Sequence, residues 1–328
     1  MQYCRQALLF SLAVSVSGIA SAQRLPAEAY PSRPVSVVIP FVAGGTTDNE
    51  ARLYTQKLQE SLGQSFVFDF RPGGATTIGT AFVAKSAPDG YTLLINNNGV
   101  TINPHFYPDL PYDIIKSFAP ISIMSERSTA MLGSPAGLPG VNNLSDLIAY
   151  ARANPGRINC GTAGAGSLTH IVCASLASAT GTKMTFVHYK GVAQGVVDLI
   201  AGRTHISAGT LFTAQPNIKS GKLRAIVVLG GQRSRLFPDI KTAIEQNIDV
   251  TYPSWLGLFA PAGTPTVILG KLYAEITKAV RSADVIRQLE LQGSVPVANS
   301  PDNFRARLLT ELARWKKIIQ DENIKLEE

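Results

Sequence analysis

Two glycine-rich segments, Gly44-Gly45-Thr46-Thr47-Asp48 and Gly164-Ala165-Gly166-Ser167, each stand between an apolar β-prone run and a helical pattern. Glycine lets a backbone come close to a bound group. The first N–H groups of a helix have no partner inside it, and the helix dipole adds about half a positive charge there. Such an end binds a carboxylate or a phosphate without any Lys or Arg. The alternative is a pair of ordinary strand-to-helix turns, and the residues alone leave both readings open.

Other chemistries fit less well. Gly161 and Gly166 have the spacing of a phosphate-binding loop, but Ser167 stands where the lysine of that loop is required. Gly164 and Gly166 are followed by Thr169, so the third glycine of a dinucleotide fingerprint is missing. There is no G-x-S-x-G elbow. The four histidines, His105, His170, His188 and His205, have no metal-binding spacing. His170 falls in the first turn after the second loop and is either a ligand contact or a helix-surface residue; the other three read as structural. No metal and no cofactor is expected. Asn96-Asn97-Asn98 and Tyr189-Lys190-Gly191 each follow a β-prone run. The amides are either polar contacts at a strand end or a turn, Tyr189 is a candidate cleft residue, and Lys190 reads as a solvated charge.

These residues need elements to position them. Val35–Pro40 reads as a strand, and Thr47 with Glu50 reads as a capping box opening a helix that ends at Gly63. A strand at Ser65–Phe70, a helix at Ile78–Lys85 and a strand at Tyr91–Ile95 follow. The alternation resumes with a helix at Leu144–Ala153, a strand at Arg157–Cys160, a helix at Ser167–Ala179, a strand at Thr185–His188, a helix at Val192–Ala201, and β runs at His205–Ala208 and Leu223–Leu229. Helices then return at Thr266–Arg281 and after Ser300-Pro301, the last with Phe304, Leu308, Leu312, Trp315 and Ile319 on one face. Strands separated by helices imply parallel sheets and an α/β fold. The 328 residues suit two domains. Domain 1 is expected at 23–125 plus 251–328 and domain 2 at 126–250, with the tail on domain 1 and crossings near Phe118–Glu126 and Thr251–Ala260.

The chain carries a formal charge of +7, with 45% hydrophobic and 16% charged residues. Its Lys and Arg are scattered without a basic run, which argues against a nucleic-acid partner. Residues 1–22 read as a secretory signal: Arg5, an apolar run from Ala7 to Val16, and Ala20-Ser21-Ala22 with cleavage expected after Ala22. The run is too short to span a membrane, and Cys4 lies on the wrong side of it for lipidation. Cys160 at a strand end and Cys173 in the second turn of a helix could pair in an oxidising compartment, though their spacing argues against it.

Motifs in fixed order along the chain then point to a family. Tyr30-Pro31-Ser32-Arg33-Pro34, Pro40-Phe41-Val42-Ala43-Gly44-Gly45-Thr46-Thr47-Asp48, Arg71-Pro72-Gly73, Ala87-Pro88-Asp89-Gly90-Tyr91 and Leu110-Pro111-Tyr112-Asp113 are followed by the loop at Gly161–Gly166 with His170, then by Tyr189-Lys190-Gly191 and Ala260-Pro261-Ala262-Gly263-Thr264-Pro265. This set resembles the tripartite tricarboxylate transporter substrate-binding proteins, the Bug family, over nearly the whole mature chain. The resemblance implies a type II periplasmic-binding-protein fold, two α/β domains with a ligand cleft between them and two interdomain crossings. It implies carboxylate capture without catalysis, partly through ordered waters. A monomer in the periplasm would deliver the ligand to membrane permease subunits or, in some members, signal to a sensor kinase. An exported hydrolase is the reading from a different class.

On this view the carboxylate rests on backbone N–H groups of Gly45, Thr46, Thr47 and Asp48 and of Gly164, Ala165, Gly166 and Ser167, with hydroxyl help from Thr46, Thr47 and Ser167 and with Gly44 in the same ligand loop. Phe41 is an apolar wall, Asn97 and Asn98 read the distal end, His170, Tyr189 and Thr210 complete the set, and Asp48 organises its loop. Ala43 replaces the usual proline of the first loop. Ile206–Thr210 lacks the acid that many members carry after this strand, which favours a dicarboxylate or aromatic carboxylate over an amino acid.

Overall fold

The computed structural model describes residues 30–189, 191–321 and 324. The expected export signal, its cleavage point and Lys190 lie outside the described residues. The elements follow in order as β1 (Val35–Ile39), α1 (Thr46–Leu62), β2 (Phe66–Phe70), α2 (Thr77–Ala84), β3 (Thr92–Asn97), α3 (Gly99–Ile102), β4 (Phe118–Gly133), α4 (Leu144–Ala153), β5 (Ile158–Thr162), α5 (Leu168–Thr180), β6 (Met184–His188), α6 (Val192–Ile200), β7 (Ile206–Thr210), α7 (Leu211–Lys219), β8 (Arg224–Val228), β9 (Pro253–Pro261), α8 (Thr266–Val280), α9 (Ala283–Leu291), β10 (Ser294–Pro296) and α10 (Pro301–Asp321).

The strands form one continuous hydrogen-bonded array with two α/β halves. In the first half β1 pairs in parallel with β2 and β3; in the second β5 pairs in parallel with β6 and β7. The two segments expected to cross are β4 and β9. They run antiparallel from Phe118 opposite Pro261 to Ser128 opposite Pro253. The end of β4, Thr129–Gly133, continues into the second half and pairs with β7 and β8. One long strand thus ties both halves together.

Each half has its own core, because each sheet face must be covered by helices to bury its apolar side. Val38, Leu94, Phe118, Trp255, Phe259 and Phe304 pack in the first. Met131, Leu147, Ile158, Ile171, Val227 and Trp315 pack in the second. A smaller cluster around Leu132, Leu199, Leu211 and Leu223 sits under α6 and α7.

Helix α10 goes further than the expected return to domain 1. Phe304 and Leu308 enter the first core, whereas Trp315 joins the second and stacks on Tyr252 at 5.5 Å. Between them the buried Glu311 accepts hydrogen bonds from Trp255 Nε1 (2.9 Å), Thr101 Oγ1 (3.0 Å) and Arg307 Nε (2.7 Å). Ser300 caps this helix by accepting the Asn303 N–H, the role its sequence position predicts.

Candidate functional site

The first loop is built around Asp48. Helix α1 begins two residues earlier than the sequence suggests: Gly45 is its N-cap, in extended conformation, and no side chain caps it. Thr47 and Glu50 therefore do not form a capping box, which corrects that expectation. Asp48, in the first turn, reaches back instead and accepts the Gly44 N–H at 2.8 Å. It is nearly fully buried and pairs with Arg52 at 2.8 Å. Gly44 holds a left-handed conformation, φ +82°, that a side chain would strain. The result is a rigid turn that leaves the start of α1 without a side-chain acceptor.

Glu50 is used elsewhere. Its carboxylate is fully buried and accepts from Ser125 Oγ and Ser294 Oγ at 2.6 Å each, and it pairs with Arg127 at 2.6 Å. This cluster joins α1 to β4 and β10 and fixes Arg127 beside the site.

The start of α1 opens on a cavity of about 780 Å³ that runs into the second half. Phe41, Gly45, Thr46, Thr47, Asn97 and Thr210 line it, so these six expected residues come together on one wall system. Asn97 is held by its Oδ1 accepting the Gly99 N–H at 2.9 Å. Thr210 is the N-cap of α7, its hydroxyl accepting the Thr213 N–H.

The second loop behaves differently. Ser167 is the N-cap of α5 and accepts the His170 N–H at 3.3 Å. The Gly164 N–H donates to Thr162 Oγ1 at 3.3 Å, the Gly166 N–H to His170 Nδ1 at 3.2 Å and the Ser167 N–H to the Gly164 carbonyl at 3.2 Å. Gly164, Ala165, Gly166 and Ser167 do not line the cavity; Leu168 and Thr169, just beyond them, do. The donors assigned to an anion at Gly164, Gly166 and Ser167 thus satisfy the loop itself, as buried polar groups must.

His170 is neither a surface residue nor on the wall. It is buried, 4.5 Å from the His188 ring and 4.9 Å from Phe186. Burial, with His188 adding to it, pushes its pKa down to about 4, so the ring is neutral and its Nδ1 is free to accept from Gly166. Asn98 is also buried and off the wall; it lies past the end of β3, in helical conformation, as the N-cap of α3. Gly44 and Asp48 shape the first loop without lining the cavity. Tyr189 covers Gly161 and Gly195 and donates to Asp198 at 2.8 Å, a packing role that takes it out of the expected cleft.

Cys160 and Cys173 are joined by a disulfide, Cα–Cα 6.5 Å, the alternative that their spacing argued against. Helix α5 folds back over β5, so its second turn lies above the middle of the strand. The bond closes the second loop into a ring. Sequence patterning also misses Arg127, Leu132, Thr169 and Thr213 on the wall. Only the helical spacing of Thr210, Thr213, Ala214 and Asn217 carried a signal, one face of an α7 not expected there.

Comparison with known proteins agrees with this geometry. A model of the family described as "Tripartite tricarboxylate transporter family receptor" matches residues 50–324. BugT of Bordetella pertussis is 31% identical over 99% of this chain and 100% of its own. A solved R. palustris protein with adipate is 32% identical, with a TM-score of 0.80 over 91% of this chain and 100% of that one. MatC of Rhodopseudomonas palustris with bound malate is 30% identical, with a TM-score of 0.75 over 88% of this chain and 100% of its own. Two α/β halves flanking a cavity are thus the architecture of a periplasmic solute-binding protein, and the chain belongs to the tripartite tricarboxylate transporter family of receptors.

Proposed function

We propose that this receptor captures a small carboxylate in the cavity between its halves and hands it to the permease subunits of a tripartite tricarboxylate-type transporter. The observation that carries the reading is the start of α1: a helix N-terminus with no side-chain cap, facing a cavity of about 780 Å³ flanked by Phe41 and Asn97. One carboxylate would accept from the first-turn N–H groups, with Thr46 and Thr47 adding hydroxyls. The relatives solved with adipate and malate support a carboxylate over a phosphate.

Two lobes, with boundaries near residues 126 and 250, would close about β4 and β9 and exclude water from the contacts. The signal at 1–22 would direct export to the periplasm and be cleaved after Ala22. Among the described lining residues no nucleophile, base and orienting acid come together, so binding rather than turnover is the reading taken. A thermal-shift screen of mono-, di- and tricarboxylates tests it. A ligand that binds only the folded state raises the melting temperature, by about 2.7 kcal/mol of added stability at 100 times its dissociation constant. Failure of every carboxylate to shift the transition, with phosphate or an amino acid succeeding, refutes it.

A further inference from the structure

We infer that the preferred ligand is a carboxylate with a single negative charge and an apolar body, an alkyl chain or an aryl ring, whose body lies against an apolar wall of the second half. This rests on the carboxylate reading above and narrows it.

Beyond Thr46 and Thr47 the cavity passes between α5, α6, β7 and α7. Its walls there are Leu132, Leu168, Val172, Val196, Leu199 and Leu223. Leu132, Val172, Leu199 and Leu223 are buried, at 3%, 0%, 0% and 2% exposure. These four back the wall, while the half-buried Leu168 and Val196 present apolar surface to the cavity. Ala208 and Ala214 keep it open, since each puts a methyl group where a longer side chain would fill the space. At about 780 Å³ the whole cavity falls in the range that holds drug-sized ligands, roughly 300–1,000 Å³.

Charge points the same way. Arg127 is the one charged side chain among the described lining residues, and its guanidinium is committed to the fully buried Glu50 at 2.6 Å. A monoanion can settle on the α1 end. The second carboxylate of a diacid would face leucine and valine, or the neutral side chains of Thr169, Ser207, Thr210, Thr213 and Asn217, with much of its hydration removed and no free cation among the described lining residues to meet it. A hydrocarbon body in the same place gains from burial, about fourfold in affinity for each methylene.

Hexanoate and adipate share a six-carbon chain and differ in the second carboxylate, so calorimetry with this pair decides the point. Hexanoate should bind at least tenfold more tightly than adipate, and affinity should rise about threefold to fourfold per methylene from butanoate to octanoate. 3-Phenylpropanoate should bind more tightly than succinate. Adipate binding as tightly as hexanoate, or a flat alkanoate series, overturns the inference and leaves the carboxylate reading standing; no binding by any carboxylate overturns both. Ala214→Phe should move the end of the rising series to shorter chains. Leu168→Asn, at a half-buried position that tolerates a polar side chain, should lower the gain per methylene. A series unchanged in both variants would place the hydrocarbon elsewhere.

Discussion

At the scale of single residues, the two loops that look alike in sequence differ in what their polar groups are doing. Asp48 organises the first loop from below and leaves its helix end without a cap; Ser167 and His170 fill the second loop from within. The Gly166–His170 bond requires a neutral ring. An unfolded histidine takes up its proton near pH 6.5, and folded His170 does so only at about 4. Between these values the unfolded state holds more protons, so stability is complete above about pH 6.5 and is lost as the pH falls toward 4. At pH 5 the loss from this one group should be about 1–2 kcal/mol. Urea midpoints of the native protein and His170→Gln, compared at pH 7 and pH 5, measure it. The gap between the two pH values should narrow in the variant; an equal gap would assign the pH dependence to another group. None of this was legible from composition. Glu50 shows why: a Thr-x-x-Glu pattern is a sound local signal for a cap, but the buried pocket made by Ser125, Arg127 and Ser294 holds that carboxylate more strongly than a helix end would.

At the scale of elements, most strands and helices fall where periodicity and glycine placement put them. The parallel strands of each half and the capped start of α10 were readable because their local signals agree with the tertiary fold. Helix α7 was not, since Pro216 lies inside it and the preceding strand ends in Gly209-Thr210, a sequence that reads as a turn. The disulfide was missed for a related reason. The two cysteines lie in different elements, 13 residues apart, and only the fold-back of α5 over β5 brings Cys160 in the strand and Cys173 in the second helical turn to 6.5 Å between Cα atoms. Closing a ring of this size removes unfolded-state freedom worth about 3 kcal/mol. Reduction with dithiothreitol, or Cys160→Ser with Cys173→Ala, should lower the urea midpoint accordingly. Because both sulfurs are buried in the second core, the reduced protein should stay folded. A midpoint unchanged on reduction would show that the bond does not form in solution.

At the scale of the whole molecule, the two halves are joined by more than the β4–β9 pair. Helix α10 places Phe304 and Leu308 in the first core and Trp315 in the second, with Glu311 holding Trp255 and Thr101 at the midpoint. A helix is stiff over this length, so the two cores are coupled through it, and the native protein should unfold in a single calorimetric transition. Trp315 carries the far end of that coupling: its ring stacks on Tyr252 and its Nε1 donates to Thr101 Oγ1 at 2.9 Å. Trp315→Ala removes a large buried ring at a cost of about 3–5 kcal/mol. The loss should fall on the second half, while Phe304 and Leu308 keep the start of α10 in place. Differential scanning calorimetry should then show the single transition separating into two, with the second half melting first. A variant that still melts in one transition, merely at lower temperature, would mean that β4 and β9 alone carry the coupling and that α10 acts only as a cover for the first core.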